Sequence, residues 1–476
     1  MARKMNNKLQ KAKYIVWDAA ASMFAWALFF AYRKVLIEHE VFADVNAVFR
    51  DRNLWTGLIV LPLAWLTLYT MQGTYRHVYR KARLKEFNMT LLASLLGVVI
   101  IFFVLLLDDN VTSYKNYYLS FIVLFAMHFS LTYTGRLLIT SSTVRKIHRR
   151  EIGFPTLLVG GSTLAYEAFS SLEQQEIHSG NAFVGYLSDG SSPDPRLQSA
   201  LAELGTIDNI DTVIDNYGIE EVIFATDTLR GIDMLRVVSR LMRRDDVVLK
   251  AHPKMTDMMS GKIKMEGVFH TPLVYINRQP VEDWQLSVKR AADILLSGIA
   301  LIFLSPIFLI TAIIVKTGSP GPIFYAQERI GYRGKPFMMY KFRSMYIDAE
   351  ASGPLLSTDE DPRVTPFGRF MRKYRLDETP QFFNVLIGNM SLVGPRPERQ
   401  YYIDKIVETH PEYHMLQRMK PGLTSWGQVK YGYASTVDEM IKRMRYDLLY
   451  LDNMSIATDI KIILYTVIII IQGRGK

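Results

Sequence analysis

The chain has 476 residues, with 56 Lys and Arg against 46 Asp and Glu, so its formal charge is +10; 49% of residues are hydrophobic, 21% are charged, and there is no cysteine. Without cysteine there is no disulfide scaffold, thiolate zinc site, iron–sulfur cluster or cysteine nucleophile, and so apolar a composition excludes a disordered polar chain. The length allows roughly two to four domains, and a basic, apolar chain fits a membrane protein with an anionic partner: headgroups, nucleic acid or a phosphorylated substrate.

Four apolar runs come first, at 16–32, 54–71, 89–107 and 117–134. Each approaches the ~20 residues that cross a hydrocarbon core, and Trp17, Trp55, Tyr69, Tyr117 and Tyr118 sit near their ends as an interfacial belt would. Arg3, Lys4, Lys8, Lys11 and Lys13 precede the first run. Arg76, Arg80, Lys81, Arg83 and Lys85 fill the second connection, and Arg136, Arg145, Lys146, Arg149 and Arg150 follow the fourth run. The third connection holds Lys115 beside Asp108 and Asp109. Because cations mark cytoplasmic loops, the N-terminus, the second connection and everything after the fourth run are predicted to be cytoplasmic. No small-residue cleavage site follows the long first run, so a cleavable signal peptide is not expected. Asp18 is expected at the edge of the first span, facing the bundle or the headgroups. The other spans show no matched charges or unwound Gly/Pro pairs, so a transporter is not expected.

From Phe154 the pattern changes to short apolar strands alternating with helices. Strands are predicted at 156–159, running into Gly160-Gly161-Ser162, at 183–187, at 221–225 before Thr226-Asp227, and at 247–250 after a helix with Arg236, Arg240, Arg243 and Arg244. This alternation predicts a Rossmann-like parallel sheet over roughly 150–265. The dinucleotide fingerprint is incomplete, since Ala165 follows the glycines and no Tyr-x-x-x-Lys pair is present. A contact-making scaffold and a regulatory nucleotide site both stay open.

A fifth apolar run spans 294–315, with Ser305-Pro306 near its middle and Lys289, Arg290 and Lys316 at its flanks. Proline removes an N–H and clashes with the carbonyl four residues back, that of Ile302, so a break is expected that Ser305 or a neighbouring backbone repairs. Both flanks carry the cytoplasmic sign, which favours a re-entrant helix–break–helix at 289–316 over a kinked span. Downstream, Tyr340-Lys341-Phe342-Arg343-Ser344-Met345 and 361–373, with Arg363, Arg369, Arg372 and Lys373, mix cations with aromatics as phosphate-binding surfaces do. Then comes Asp377-Glu378, with Thr379 a possible helix cap and Pro380 in the first turn. Acids at a helix start are often only dipole partners. A carboxylate among so many cations also stays ionised at pH 7, and an ionised carboxylate can attack phosphorus while its neighbour either binds a divalent cation such as Mg²⁺ or orients the nucleophile. Gly394-Pro395-Arg396-Pro397 fixes Arg396 between two prolines as a phosphate clamp, and Pro421-Gly422-Leu423-Thr424-Ser425-Trp426-Gly427-Gln428-Val429 follows. Asp438 and Glu439 read as a solvated helix start, the nine histidines show no zinc pattern, and the run at 460–471, with Arg474 and Lys476 behind it, is short enough to lie in the interface.

Taken in order, the Ser-Pro break, the KFRSM box, Arg372 with Asp377-Glu378, the GPRP turn and the PGLTSWGQV segment resemble the bacterial polyprenyl-phosphate sugar-1-phosphate transferases, the monotopic phosphoglycosyl transferase superfamily. The likeness covers about 289–473, and the preceding four spans and α/β domain resemble its large subgroup. It implies a ping-pong reaction. Asp377, at the nucleophile position, attacks the β-phosphate of a UDP-sugar and releases UMP, and a polyprenyl phosphate, usually undecaprenyl phosphate, then takes the phosphosugar to start a surface polysaccharide. Glu378 matches the second carboxylate, with Mg²⁺ near Asp377 and Glu378. Arg372, Lys341, Arg343, Arg363 and Arg396 match phosphate-binding positions, and Ser305 and Pro306 match the re-entrant break. The fold class expected is membrane α plus α/β: a four-helix transmembrane bundle (1–149), a Rossmann-like, CoA-binding-like domain (150–280), and a mostly helical catalytic domain with the re-entrant helix (281–476). The expected setting is a multi-pass protein of the bacterial inner membrane, a homodimer, with the catalytic domain cytoplasmic and no nucleic-acid partner. Lys430-Tyr431-Gly432-Tyr433 departs from the Gly-Arg continuation of many members, so no sugar is inferred. The rival readings are a membrane-anchored nucleotide-sugar dehydratase or epimerase, which needs the missing fingerprint, and a non-enzymatic scaffold.

Overall fold

The computed structural model describes residues 6–36, 49, 51–106, 114–175, 178–226, 232–244, 246–252, 273–276, 281–347, 349 and 361–473. Arg3, Lys4, Asp108, Asp109, Asp227, Arg474 and Lys476 lie outside them. The chain forms two compact units, one of residues 1–154 and 172–182, the other of 155–171 and 183–476.

The first unit is built on α1 (Asn7–Leu36), α2 (Arg52–Met71), α3 (Arg83–Ile101), which widens into a π-helical turn, and α4 (Tyr114–His148). All four are long and apolar enough to cross a membrane. Helix α1 packs on α2 and α4, and α3 packs on α4. Trp26, Phe29, Leu61, Trp65, Tyr69, Val98 and Leu124 fill the interior, while Phe24, Ile59, Leu63, Leu92 and Ile122 point outward. Apolar side chains on both faces suit a lipid surround rather than water.

Helix α4 continues beyond the apolar run to His148, so Arg136, Arg145 and Lys146 are helical residues. Arg136 and Asp18 are fully buried together. The Arg136 guanidinium donates from Nε to Asp18 Oδ1 at 2.8 Å and from Nη2 to Oδ2 at 2.7 Å, and from Nη1 to Thr90 at 3.0 Å. Tyr75 donates to Asp18 at 2.8 Å, and Glu86 stands 3.5 Å from Arg136 and 2.8 Å from Lys81. Of the two placements expected for Asp18, the structure shows the one facing the other helices, where it belongs to an interior ion network. The reason is mutual neutralisation, because a buried charge is tolerated when paired and hydrogen-bonded.

A six-stranded sheet, most of whose residues belong to the second unit, has the order β3-β2-β1-β4-β5-β6. Its strands are β1 (Phe154–Val159), β2 (Asn181–Ser188), β3 (Glu203–Thr206), β4 (Glu221–Phe224), β5 (Val248–Ala251) and β6 (Val274–Tyr275). Among them run α5 (Thr163–Glu173), α6 (Pro195–Ala200), α7 (Ile210–Tyr217) and α8 (Ile232–Leu241). β4 lies parallel between β1 and β5, β2 is parallel to β3, and β6 is antiparallel. This is the doubly wound order, so the predicted Rossmann-like sheet is present, with β3 and β6 added. Leu157, Val159, Leu187, Val222, Phe224 and Leu249 form its core. At the β1–α5 turn, Gly160 has φ +132°, and a Cβ there would meet the Ala225 carbonyl at 2.2 Å, so only glycine fits. The Asp189 carboxylate at the end of β2 accepts from Gly161 N–H at 3.3 Å and from Ser191 and Thr226. In this structure the turn is closed by the protein's own groups.

The rest of the second unit begins with α9 (Asp283–Gly318), a helix of 36 residues. Helical backbone continues through Pro306, so the expected helix–break–helix is a single helix. The expected repair is present and explains this continuity: Ser305 Oγ donates to the Ile302 carbonyl at 2.7 Å, the acceptor that Pro306 cannot serve. Ile302, Phe303, Leu309 and Ile310 on its middle turns are exposed, whereas both ends are tied down. Lys289 donates to the Val393 carbonyl at 2.9 Å, and Arg290 to the carbonyls of Val385 and Leu386 at 2.6 and 2.9 Å. After it come the antiparallel pair β7 (Phe324–Ile330) and β8 (Pro336–Phe342), then α10 (Pro366–Lys373), α11 (Gln381–Ile387), β9 (Ser391–Val393), α12 (Gln400–Val407), α13 (Tyr413–Leu416), β10 (Gly422–Thr424), α14 (Trp426–Lys430), α15 (Val437–Asp452) and α16 (Ile456–Ile471).

Candidate active site

An open cleft of about 430 Å³ is lined by Lys341, Arg372, Arg375, Asp377, Glu378, Arg396 and Tyr433. Among the described lining residues four cations accompany two carboxylates, a net formal charge of +2, so the cleft suits an anion such as a diphosphate.

Local structure explains how these residues meet. Thr365 caps α10 by accepting from Gly368 N–H at 3.0 Å, with Pro366 at the first helical position. The helix ends at Arg375, which is left-handed at φ +54° although it is not glycine, at a cost of roughly 1–2 kcal/mol. That turn starts a 3₁₀ turn at Leu376–Glu378, which holds both carboxylates. Thr379 does not cap α11 as expected. Its hydroxyl donates to the Leu376 carbonyl at 2.7 Å, and Pro380 occupies the cap position instead. The carboxylates therefore precede the helix by a separate turn. Lys341 comes from β8, whose register is fixed by β7 and by Asn384, which accepts from Tyr340 N–H at 3.0 Å and donates to the Met338 carbonyl at 2.7 Å.

Arg396 stands on a turn pinned by a second element. β9 and β10 form a short parallel ladder, Ser391 opposite Gly422 and Val393 opposite Thr424. Gly394 N–H donates to the Thr424 carbonyl at 3.0 Å, and Gly422 N–H to the Pro395 carbonyl at 2.9 Å. A Cβ on Gly394 would lie 2.3 Å from the Lys420 carbonyl, which explains the glycine. The GPRP turn after β9 and the PGLTSWGQV segment containing β10 are thus parts of one support. Behind it, the buried Asp447 of α15 accepts from Gly427 N–H at 2.8 Å and takes the Arg396 N–H as well. Burial pushes its carboxyl up to about 6, against these hydrogen bonds and Arg443.

The two carboxylates differ. Glu378 Oε1 accepts from Lys341 at 2.9 Å and from Arg396 at 3.1 Å, and Oε2 from Arg375 at 3.4 Å. Burial works to raise its pKa, but Lys341, Arg396 and Arg375 outweigh it and hold Glu378 well below the ordinary range. Asp377 is raised by burial and then by the Glu378 charge, against Lys341, Arg372 and Arg375. The cations thus hold Glu378 low, whereas burial raises Asp377. Burial lowers Lys341, and Glu378 partly restores it. Burial works to lower Arg396 too, but Glu378 and Glu398 raise it. Among the described residues no hydrogen bond engages the Asp377 carboxylate, so its oxygens are the ones left for chemistry.

Of the predicted site residues, the structure brings Lys341, Arg372, Asp377, Glu378 and Arg396 together. Two stand elsewhere. Arg343 is buried and caps the end of α9, donating to the carbonyls of Pro320, Ser319 and Val315 at 2.5, 2.8 and 3.3 Å. Arg363 pairs with Asp361 at 2.6 Å and donates to the Ala349 carbonyl at 3.0 Å. Neither lines the cleft, because unsatisfied carbonyls and a neighbouring acid claim their guanidinium groups. Ser305 and Pro306 lie in α9, away from the lining residues. Arg375 and Tyr433 line the cleft without having been singled out for it; Arg375 lay two residues before Asp377, but only its left-handed turn aims it inward.

Residues 284–473 match the family model described as bacterial sugar transferase. The chain is 37% identical over 222 residues to the UDP-N-acetylgalactosamine-undecaprenyl-phosphate N-acetylgalactosaminephosphotransferase of Aeromonas hydrophila, covering 47% of this chain and 52% of that protein. It is 38% identical over 206 residues to the UDP-glucose:undecaprenyl-phosphate glucose-1-phosphate transferase of Escherichia coli (strain K12), covering 43% and 44%. It is 39% identical over 201 residues to the exopolysaccharide production protein PSS of Rhizobium leguminosarum bv. phaseoli, covering 40% of this chain and 98% of that protein. The matched part thus spans about half the length of the first two relatives and nearly all of the third.

Proposed function

This chain belongs to the bacterial sugar transferase family, and from that premise we propose that it transfers a sugar 1-phosphate from a UDP-sugar to undecaprenyl phosphate at a bacterial inner membrane, an early step of surface polysaccharide synthesis. The observation that carries this reading is the buried pair Asp377 and Glu378 set among Lys341, Arg372, Arg375 and Arg396 in an open cleft. Asp377 attacks the sugar-bearing phosphorus, the bond from that phosphorus to the UMP oxygen breaks, and UMP leaves. An oxygen of undecaprenyl phosphate then attacks the phosphorus held on Asp377, and the carboxylate is released. Glu378 takes no part in bond exchange; it holds Lys341 and Arg396 where they neutralise the diphosphate. Mg²⁺ is accepted beside substrate phosphates by hard oxygen donors; Asp377 would hold it more readily than Glu378, both of whose oxygens already accept from Lys341, Arg396 and Arg375. When bound, the ion supplies charge neutralisation.

The test is to incubate the full chain with Mg²⁺, undecaprenyl phosphate and a panel of UDP-sugars. UMP should form with at least one sugar, and only when Asp377 is present. UMP formed equally by wild type and Asp377→Ala, or by neither, would refute the reading.

The re-entrant placement of α9 is part of the same proposal. A straight helix of 36 residues would be about 54 Å long and could not return to the face it entered, so this placement needs a bend within the helix, for which Pro306 is the site. Lys289 and Arg290 at one end and Arg343 at the other bond it to the same unit, which favours both ends lying on one side of the bilayer. Since the chain lacks cysteine, a single cysteine replacing Lys316 reports its side cleanly. It should resist an impermeant maleimide added outside intact cells, and external labelling would show a span.

A further inference from the structure

Among the described residues lining the cleft, Tyr433 carries the one uncharged side chain. Its placement is firm although it lies in a short connection. Tyr431 and Gly432 donate to the Gly427 carbonyl at the end of α14, and Gly432 turns the chain at φ +93° with open space around it. Beyond, Thr436 accepts from Glu439 N–H at 3.2 Å while Glu439 accepts from Ser435 N–H at 2.6 Å, a reciprocal cap at the start of α15. Tyr433 is thus held between two closed helix ends, with its side chain 39% exposed.

The cleft has a direction. Asp377 feels Lys341, Glu378, Arg372 and Arg375. Glu378 sits between, bridging Lys341 and Arg396. Tyr433 acts on Arg396 and Arg329, on the side of Arg396. In-line displacement at phosphorus sends the leaving group away from the nucleophile. With Asp377 attacking, a leaving nucleoside monophosphate would be sent away from Asp377, and Arg396 and Tyr433 line that same cleft as its cation and its aromatic ring.

We propose that Tyr433 is the nucleobase platform of the cleft: its ring stacks on the pyrimidine of the donor and of the released UMP. This rests on the function proposed above. Aromatic stacking of a base tolerates Phe and not Ala.

The experiment is calorimetric titration of the full chain in detergent with UMP and, separately, with pyrophosphate, which has the charge without the base. Wild type should bind UMP. Tyr433→Ala should weaken UMP about tenfold and leave pyrophosphate within about twofold, and Tyr433→Phe should keep both. Pyrophosphate binding also reports that each variant is folded. If Tyr433→Ala binds UMP as wild type does, or loses UMP and pyrophosphate in parallel, Tyr433 is no platform while the cleft remains a phosphate site. If wild type binds neither probe, the proposed function fails together with this inference.

Discussion

Asp377→Asn should lower UMP formation by about 10⁴-fold or more, the scale on which removal of a reacting nucleophile acts, while leaving the protein folded. Asn fills the same volume and cannot form the acyl phosphate. Glu378→Gln should act differently. It loosens Lys341 and Arg396 from their shared oxygen and so impairs donor binding as well as turnover. The pH profiles separate the two roles. Asp377 must be ionised to attack, and burial followed by the Glu378 charge raises its pKa. Activity is therefore present above that raised value and lost as the pH falls through it, at a pH above the ~3.9 of an ordinary aspartate. Removing the Glu378 charge takes away a term that raises Asp377, so the acid limb of kcat/KM in Glu378→Gln should move down. A limb that stays in place would mean that Asp377 is not the group being read.

Arg136→Met should be the most damaging single substitution in the helical unit. It removes two hydrogen bonds to Asp18 and one to Thr90, and leaves Asp18 buried without its cation. Stranding a buried charge in this way costs about 3–5 kcal/mol. Arg136 also lies over the Tyr69 ring at 4.0 Å, so packing is lost with the charge. Asp18→Asn combined with Arg136→Met removes both charges at once and should recover a large part of the loss, because an uncharged pair carries no such penalty. Unfolding of the wild type and these variants in a mild detergent with increasing denaturant measures both effects. Equal midpoints for Arg136→Met and wild type would show that the network contributes nothing to stability.

The four long apolar helices of the first unit and four of the six strands were legible because each is a continuous apolar run, and period and length alone identify such runs. β3 was not, because Glu203-Leu204-Gly205-Thr206 has one apolar residue and belongs to the sheet by position rather than composition. β6 is two residues long. Asp377, Glu378, Lys341, Arg372 and Arg396 were legible from ordered motifs, and they do share a cleft. Arg343 was misread because its partners are carbonyls at Val315, Ser319 and Pro320, which no local pattern links to a cation downstream. Arg136 was misread for a similar reason. As one cation in a basic stretch it looks like a loop marker, and only the packing of α1 against α4 brings Asp18 to it.

One feature of β8 constrains how this chain can change. Lys341, on the strand, reaches Glu378, and Arg343, immediately past its end, closes the carbonyls at the end of α9. The two cations are separated by a single residue, Phe342, whose ring is buried against Val315 and Met371. Side chains on an extended strand alternate, so adding or deleting one residue here reverses every side chain beyond it. Either the lysine or the arginine would then lose its partner, and the phenylalanine would leave the core. The triplet Lys341-Phe342-Arg343 therefore admits substitutions more readily than any change of length, and the spacing of these residues is as much a part of the site as their chemistry.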